Sequence, residues 1–261
     1  MAAPIQFRQS GLARPSLETG RSLVAIIPDN GGKALKGDGE LMVYSLGKKS
    51  PYDTDPRHEV VDGEAWAKVE FLRPDRVDRI ARARRYPLMR YGYPVVPDSA
   101  PKTVLWSSRR LPPPDYAFGN NEIMLVSGRF RDLVERFEPD VHQFLPVDMV
   151  HKKGEAPFDT FYWFVCCQLI DSIDPDRTTL AWDGDDYEEH MDDGFRRGFW
   201  RYDHNVSPPP VPAYSLAAIG DRHLWRDPYW AREVVRSSNV FGEAMIEAEL
   251  TGFAINKKQD A

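Results

Sequence analysis

Cysteine is almost missing from this chain. There are two in 261 residues, Cys166 and Cys167, side by side in an apolar run. Neighbours on an extended chain point to opposite faces, so the pair does not bridge itself. With no others present there is no disulfide framework, CxxC motif or cysteine zinc site. Two buried, inert thiols suit a reducing compartment. Long apolar runs are also missing. Nothing approaches the ~18–20 residues that cross a bilayer, and the polar, proline-containing first twenty residues lack the apolar segment of a signal peptide. The expected location is cytoplasmic, with no membrane partner. Basic excess is missing too: 34 Lys and Arg stand against 40 Asp and Glu, a net charge of −6. That balance disfavours nucleic acid as a partner and favours a basic one.

Signatures of chemistry are equally scarce. The six histidines (His58, His142, His151, His190, His204 and His223) are scattered, with no i, i+4 pair to hold a metal on a helix. Ser127 lacks the G-x-S-x-G elbow, and Gly31-Gly32-Lys33 lacks the spacing of a phosphate loop. Tyr202-Asp203-His204-Asn205 has nothing nearby to complete a triad. No catalytic constellation, resident metal or cofactor is expected.

What is present is a core-forming composition, 42% hydrophobic and 12% aromatic, with 28% charge and 22 prolines. This describes a soluble globular protein with many loops. Its best-organised stretch is 121–150. An apolar run at 123–126 leads to Ser127, a helix cap by position. Phe130, Leu133, Val134 and Phe137 then share one helix face, with Arg131 and Glu135 as a weak pair on the other. Pro139 ends the helix. Val141, Gln143, Leu145 and Val147 alternate as on a strand. A weaker copy closes the chain: Ser238 is followed at the same offsets by Phe241, Ala244, Met245 and Ala248, then by a short strand.

Elsewhere, strands are expected at 23–27, 40–46, 104–107 and 199–202. A helix is expected at 74–85, where Arg73, Arg76, Arg79, Arg82, Arg84, Arg85 and Arg90 read as a solvated face. The run at 160–170, TFYWFVCCQLI, is too apolar for a one-sided strand and reads as a central strand covered on both faces. Asp171, Asp174 and Asp176 beside Pro175 read as turn formers. Residues 214–219 and 223–225 read as a hairpin around Gly220-Asp221. The most charge-biased segment is 182–194, WDGDDYEEHMDDG, with seven acids in thirteen residues. It fails the EF-hand pattern, because Tyr187 stands where a ligand should be. The expected fold class is α+β: a mostly antiparallel sheet holding 123–126, 141–147, 160–170 and 213–219. Two amphipathic helices, 128–138 and 239–249, should pack on it, with an N-terminal extension or subdomain.

Five short motifs in order carry a family resemblance: LPPPDYAFG at 111–119, LVSGRF, FLPV at 144–147, LIDSID at 169–174 and the terminal LTGFAI. Over 111–256 the chain resembles the Imm11 family of bacterial immunity proteins (the DUF1629 domain). That divides it into an N-terminal part, 1–110, a family-like domain, 111–256, and a polar tail, 257–261. The resemblance implies an immunity protein that neutralises a polymorphic toxin by stoichiometric binding, the toxin being encoded by a neighbouring gene. Under that reading the partner-binding surface is the acidic segment: Asp183, Asp185, Asp186, Glu188, Glu189, Asp192 and Asp193, with Trp182, Tyr187 and Met191 as interleaved anchors. The alternative is a metal-dependent hydrolase using the same carboxylates.

Overall fold

A computed structural model describes residues 43–49, 51–52, 56, 58–61, 69–72, 92–118, 124–184, 198–203, 205–230 and 234–258. Contacts divide the chain after Gly39, and every described residue belongs to the second unit, Glu40–Ala261. The expected strand at 23–27 and the arginine-bearing helix at 74–85 lie outside the described residues.

The fold is α+β with several sheets. Six strands form a mixed sheet in the order β2-β3-β6-β7-β5-β4: β2 His58–Val60, β3 Thr103–Trp106, β4 Tyr116–Phe118, β5 Met124–Val126, β6 Gln143–Val150 and β7 Asp159–Val165. Among the described pairings of this sheet, β3–β6 is parallel and the others are antiparallel. A second sheet runs β10-β11-β1-β12: β1 Val43–Lys48, β10 Leu224–Trp225, β11 Val235–Ser237 and β12 Phe253–Lys258. A two-stranded ribbon pairs β8 Ala181–Asp183 with β9 Phe199–Arg201. Among the described residues there are three α-helices: α1 Gly128–Phe137, α2 Leu216–Ile219 and α3 Asn239–Glu247.

The two-faced apolar run behaves as its composition requires. Phe161, Trp163 and Val165 of β7 point into one core with Leu145, Val147 and Met149 of β6. Phe164 and Cys166 point into another, shared with both long helices. On α1, Phe130, Leu133 and Val134 are buried, as the helical period demands.

The Ser238 segment repeats the Ser127 segment in three dimensions. Adding 111 to a residue number carries β5, α1 and β6 onto β11, α3 and β12. In the first sheet Val126, Tyr162 and Pro146 align across β5, β7 and β6. In the second, Ser237, Tyr44 and Lys257 align across β11, β1 and β12. Each unit is therefore a strand, a crossover helix and a strand, with an antiparallel strand inserted between the two. The caps match. Ser127 Oγ accepts from the Phe130 N–H, and Ser238 Oγ from the Phe241 N–H. The Ser127 N–H donates to the Asp115 carbonyl, and the Ser238 N–H to that of His223, both at 2.9 Å. Both hydroxyls also meet those neighbours' side chains. Phe130 and its equivalent Phe241 touch edge to face, 6.3 Å between centroids. At the next shared position Arg131 lies over the Tyr162 ring, while Gly242 lies against the Tyr44 ring. A Cβ at Gly242 would run into that ring. The inserted strand is the difference: β7 follows β6 in the chain, whereas β1 comes from far upstream.

Three expectations need correction. Residues 213–219 form no strand and 214–225 no hairpin. Ser215 Oγ accepts from the Ala218 N–H and starts the short α2, and Leu224–Trp225 pairs with β11 in the other sheet. A local side-chain oxygen outcompetes extension here. Second, β7 stops at Val165 rather than continuing to 170. The Cys167 N–H donates to His142 Nδ1, and Gln168 and Ile170 exchange backbone bonds with Arg226 instead. Third, α3 contacts β1 of the second sheet, so the helices do not share a single sheet. Arg131 also prefers Asp132 and Tyr162 to Glu135.

Candidate functional site

The acidic segment begins on β8. Trp182 pairs with Trp200 across the ribbon. Its half-buried indole meets the Trp200 ring edge-on at 5.1 Å and that of Tyr229 at 5.8 Å. Gly198, at φ +145°, packs directly under that indole, where a Cβ would collide with it. Trp182 is thus engaged in holding the ribbon's base together. Asp183 is exposed beside it. The other eight expected partner-binding residues, Asp185, Asp186, Tyr187, Glu188, Glu189, Met191, Asp192 and Asp193, lie outside the described residues, between β8 and β9 in sequence. Of the seven carboxylates, the described part holds only Asp183. Among the described residues, no three of His, Cys, Asp and Glu gather as a metal-ligand set.

A second constellation is one the sequence did not reveal. Glu138, at the C-terminal end of α1, is buried, and its carboxylate gathers four donors. Oε1 accepts from Gln168 Nε2 at 2.6 Å and the His223 N–H at 2.7 Å. Oε2 meets His142 Nε2 at 2.6 Å and the Leu224 N–H at 3.2 Å. Burial alone would raise its pKa. The bonds from His142, His223 and Gln168 outweigh burial and hold it below the ordinary carboxylate value. For His142, burial opposes the charged ring while the Cys166 sulfur and Glu138 draw it up. The Cys167 N–H donates to His142 Nδ1 at 3.1 Å, and a proton on that nitrogen would face another proton. In the neutral ring both contacts are satisfied by a proton on Nε2. The network ties the end of α1 to the start of β10, joining the two repeats, and its ring and carboxylate are closed to solvent. Burial pushes the Cys167 thiol up to about 12, so it is no nucleophile at neutral pH. The sequence signal was available only as two polar residues, Glu138 and His142, flanking the helix-ending proline.

Among the described residues, the candidates Asp174, Asp176 and Trp163 are engaged in hydrogen bonds within the fold. The Asp176 N–H donates to Asp174 Oδ1 and the Thr178 N–H to the Asp174 carbonyl, a side-chain-closed turn. Asp227 is fully buried and accepts from the Ser172, Tyr229 and Trp230 backbone N–H groups. The Trp163 indole N–H donates to the Pro101 carbonyl at 2.8 Å. Among the described residues no helix is long and apolar enough to cross a membrane.

The model of an immunity protein family, Imm11, matches residues 55–260. The match begins well before residue 111, where the recognisable motifs start, and takes in β2 and β3 as well. A search of curated proteins finds no match.

Proposed function

The chain belongs to the Imm11 immunity protein family, and from that premise we propose that it binds one cognate secreted toxin and neutralises it stoichiometrically, without turnover or cofactor, in the cytoplasm of the producing cell. The toxin is the product of a neighbouring gene. The observation that carries this reading is the family match across 55–260. The buried polar groups agree with it: the Glu138 and Asp227 carboxylates are spent on backbone N–H groups and neighbouring side chains within the fold.

The acidic segment is the proposed first point of contact. An immunity protein must meet its toxin quickly, and clustered charge raises association rates toward a basic surface. β8 carries the first two residues of that segment, with Trp182 packed against Trp200 and Tyr229. Tyr187 and Met191 supply apolar contact among Asp183, Asp185, Asp186, Glu188, Glu189, Asp192 and Asp193. The test is binding kinetics against the neighbouring gene's toxin domain at two ionic strengths. The wild-type on-rate should fall as salt rises. Combined Asp185→Lys, Asp186→Lys, Glu188→Lys and Glu189→Lys should slow association and weaken protection, with little change in folding stability. Equal on-rates for the wild type and this variant would remove the acidic segment from the interface.

A further inference from the structure

The repeat is not symmetric where its two helices meet. Leu133, Arg136 and Phe137 of α1 and their equivalents on α3, Ala244, Glu247 and Ala248, line a groove of about 440 Å³. The helices run antiparallel. Arg129, at the start of α1, donates to the Ala248 carbonyl at the end of α3. Phe137, at the end of α1, packs edge-on to Phe241 near the start of α3, 5.3 Å between centroids. Where α1 carries leucine and phenylalanine, α3 carries two alanines. The groove is therefore the space those two larger side chains would fill had the repeat been kept. Its floor is apolar and its rims carry opposite charges. Arg136 and Glu247 are both exposed, and neither forms an ion pair among the described residues.

We propose that this groove is the anchoring site for one amphipathic helix of the toxin, an assignment that rests on the immunity reading above. The helix brings two side chains of leucine or phenylalanine size at i and i+4, the spacing of both Leu133/Phe137 and Ala244/Ala248. An acidic residue meets Arg136 and a basic one meets Glu247, which sets the direction in which the helix lies. Large apolar side chains sealed in a pocket hold a complex together, whereas diffuse charge on the acidic segment speeds encounter. A second copy of this chain is a poorer occupant. Its own Leu133 is buried, and its Phe137 is engaged with His223 and Phe241.

The repeat itself supplies the test. Ala244→Leu with Ala248→Phe restores the side chains of the first helix and fills the groove. Arg136→Glu alters one rim through an exposed side chain and leaves the packing alone. Both proteins should melt no lower than wild type by circular dichroism. Each should bind the neighbouring gene's toxin domain at least tenfold more weakly, the filled variant through faster dissociation. If Ala244→Leu/Ala248→Phe lowers the melting temperature, Arg136→Glu alone decides the matter. Unchanged affinity in the folded variants overturns the groove while leaving the immunity reading intact. Wild-type protein that fails to bind the toxin domain overturns both. A concentration-dependent dimer in sedimentation that filling the groove abolishes would assign it to a second copy and overturn the toxin helix.

Discussion

Glu138 offers the sharpest check on how the two repeats are joined. Glu138→Ala removes a carboxylate that accepts from the His223 and Leu224 N–H groups, the Gln168 amide and the His142 ring. Gln168 keeps a second acceptor, the Leu224 carbonyl. The two backbone donors and the ring lose theirs. Stranding a buried donor costs about 1–3 kcal/mol, and removing one side of a buried, hydrogen-bonded charge costs about 3–5 kcal/mol. The expected loss for Glu138→Ala is therefore about 3–5 kcal/mol. Glu138→Gln keeps one acceptor oxygen but turns an amide toward donors, and should cost about 1–3 kcal/mol. The pH dependence follows from the direction of the shift. The folded pKa lies below the unfolded one, so the carboxylate's contribution is complete above the ordinary carboxylate range. It is lost as the pH falls through the lowered folded value. Glutamine does not titrate, so the gap between wild type and Glu138→Gln should be widest near neutrality and shrink below about pH 4. Urea unfolding followed by tryptophan fluorescence at several pH values measures both quantities. A loss under about 1 kcal/mol for Glu138→Ala, or a wild-type-to-Gln gap independent of pH, would refute the argument.

Other outcomes follow from the same packing. Leu133→Ala should cost about 2–5 kcal/mol in urea unfolding, since Leu133 is 2% exposed and part of the helix–sheet core. Ser127→Ala and Ser238→Ala should each cost about 0.5–2 kcal/mol, with Ser127 at the upper end because Asp115 also loses a donor. Gly242→Ala should cost about 1–3 kcal/mol by pressing on the Tyr44 ring, and Tyr44→Leu should recover part of it. Millimolar magnesium or calcium should leave the melting temperature unchanged within the range of weak surface binding. A rise of several degrees would place a tight metal on the acidic segment.

The parts of the fold that could be read from the sequence are those set by local period. Phe130, Leu133 and Val134 declare a helix face, Leu145 and Val147 a strand face, and Thr160–Val165 a strand buried on both sides. Each of these patterns needs only its own residues. The repeat was visible as shared offsets from Ser127 and Ser238, but confirming it required the inserted strand, and period two at 43–48 says nothing about which strands will flank it. The segment 213–219 misled because Tyr214 and Ile219 are buried as strand residues would be, while the Ser215 hydroxyl decides the backbone. The Glu138 network joins residues from three separated stretches, 138–142, 167–168 and 223–224, so no short window of sequence contains it. The groove was illegible for another reason: it consists of what Ala244 and Ala248 leave empty.

The origin of β1 bears on how the molecule is made. Its two partners in the second sheet, β11 and β12, lie about two hundred residues downstream. As the chain leaves the ribosome, the first repeat can close on itself early, since β7 follows β6 through a short turn. The second cannot, because its middle strand has already emerged and must wait, with its edges unpaired, until the partners are synthesised. Contacts so distant in sequence form slowly, and waiting edges invite aggregation. An expressed fragment starting at residue 55, where the family match begins, would omit that strand. The last helix would then be left over a sheet with no centre, so expression boundaries should be drawn upstream of Val43.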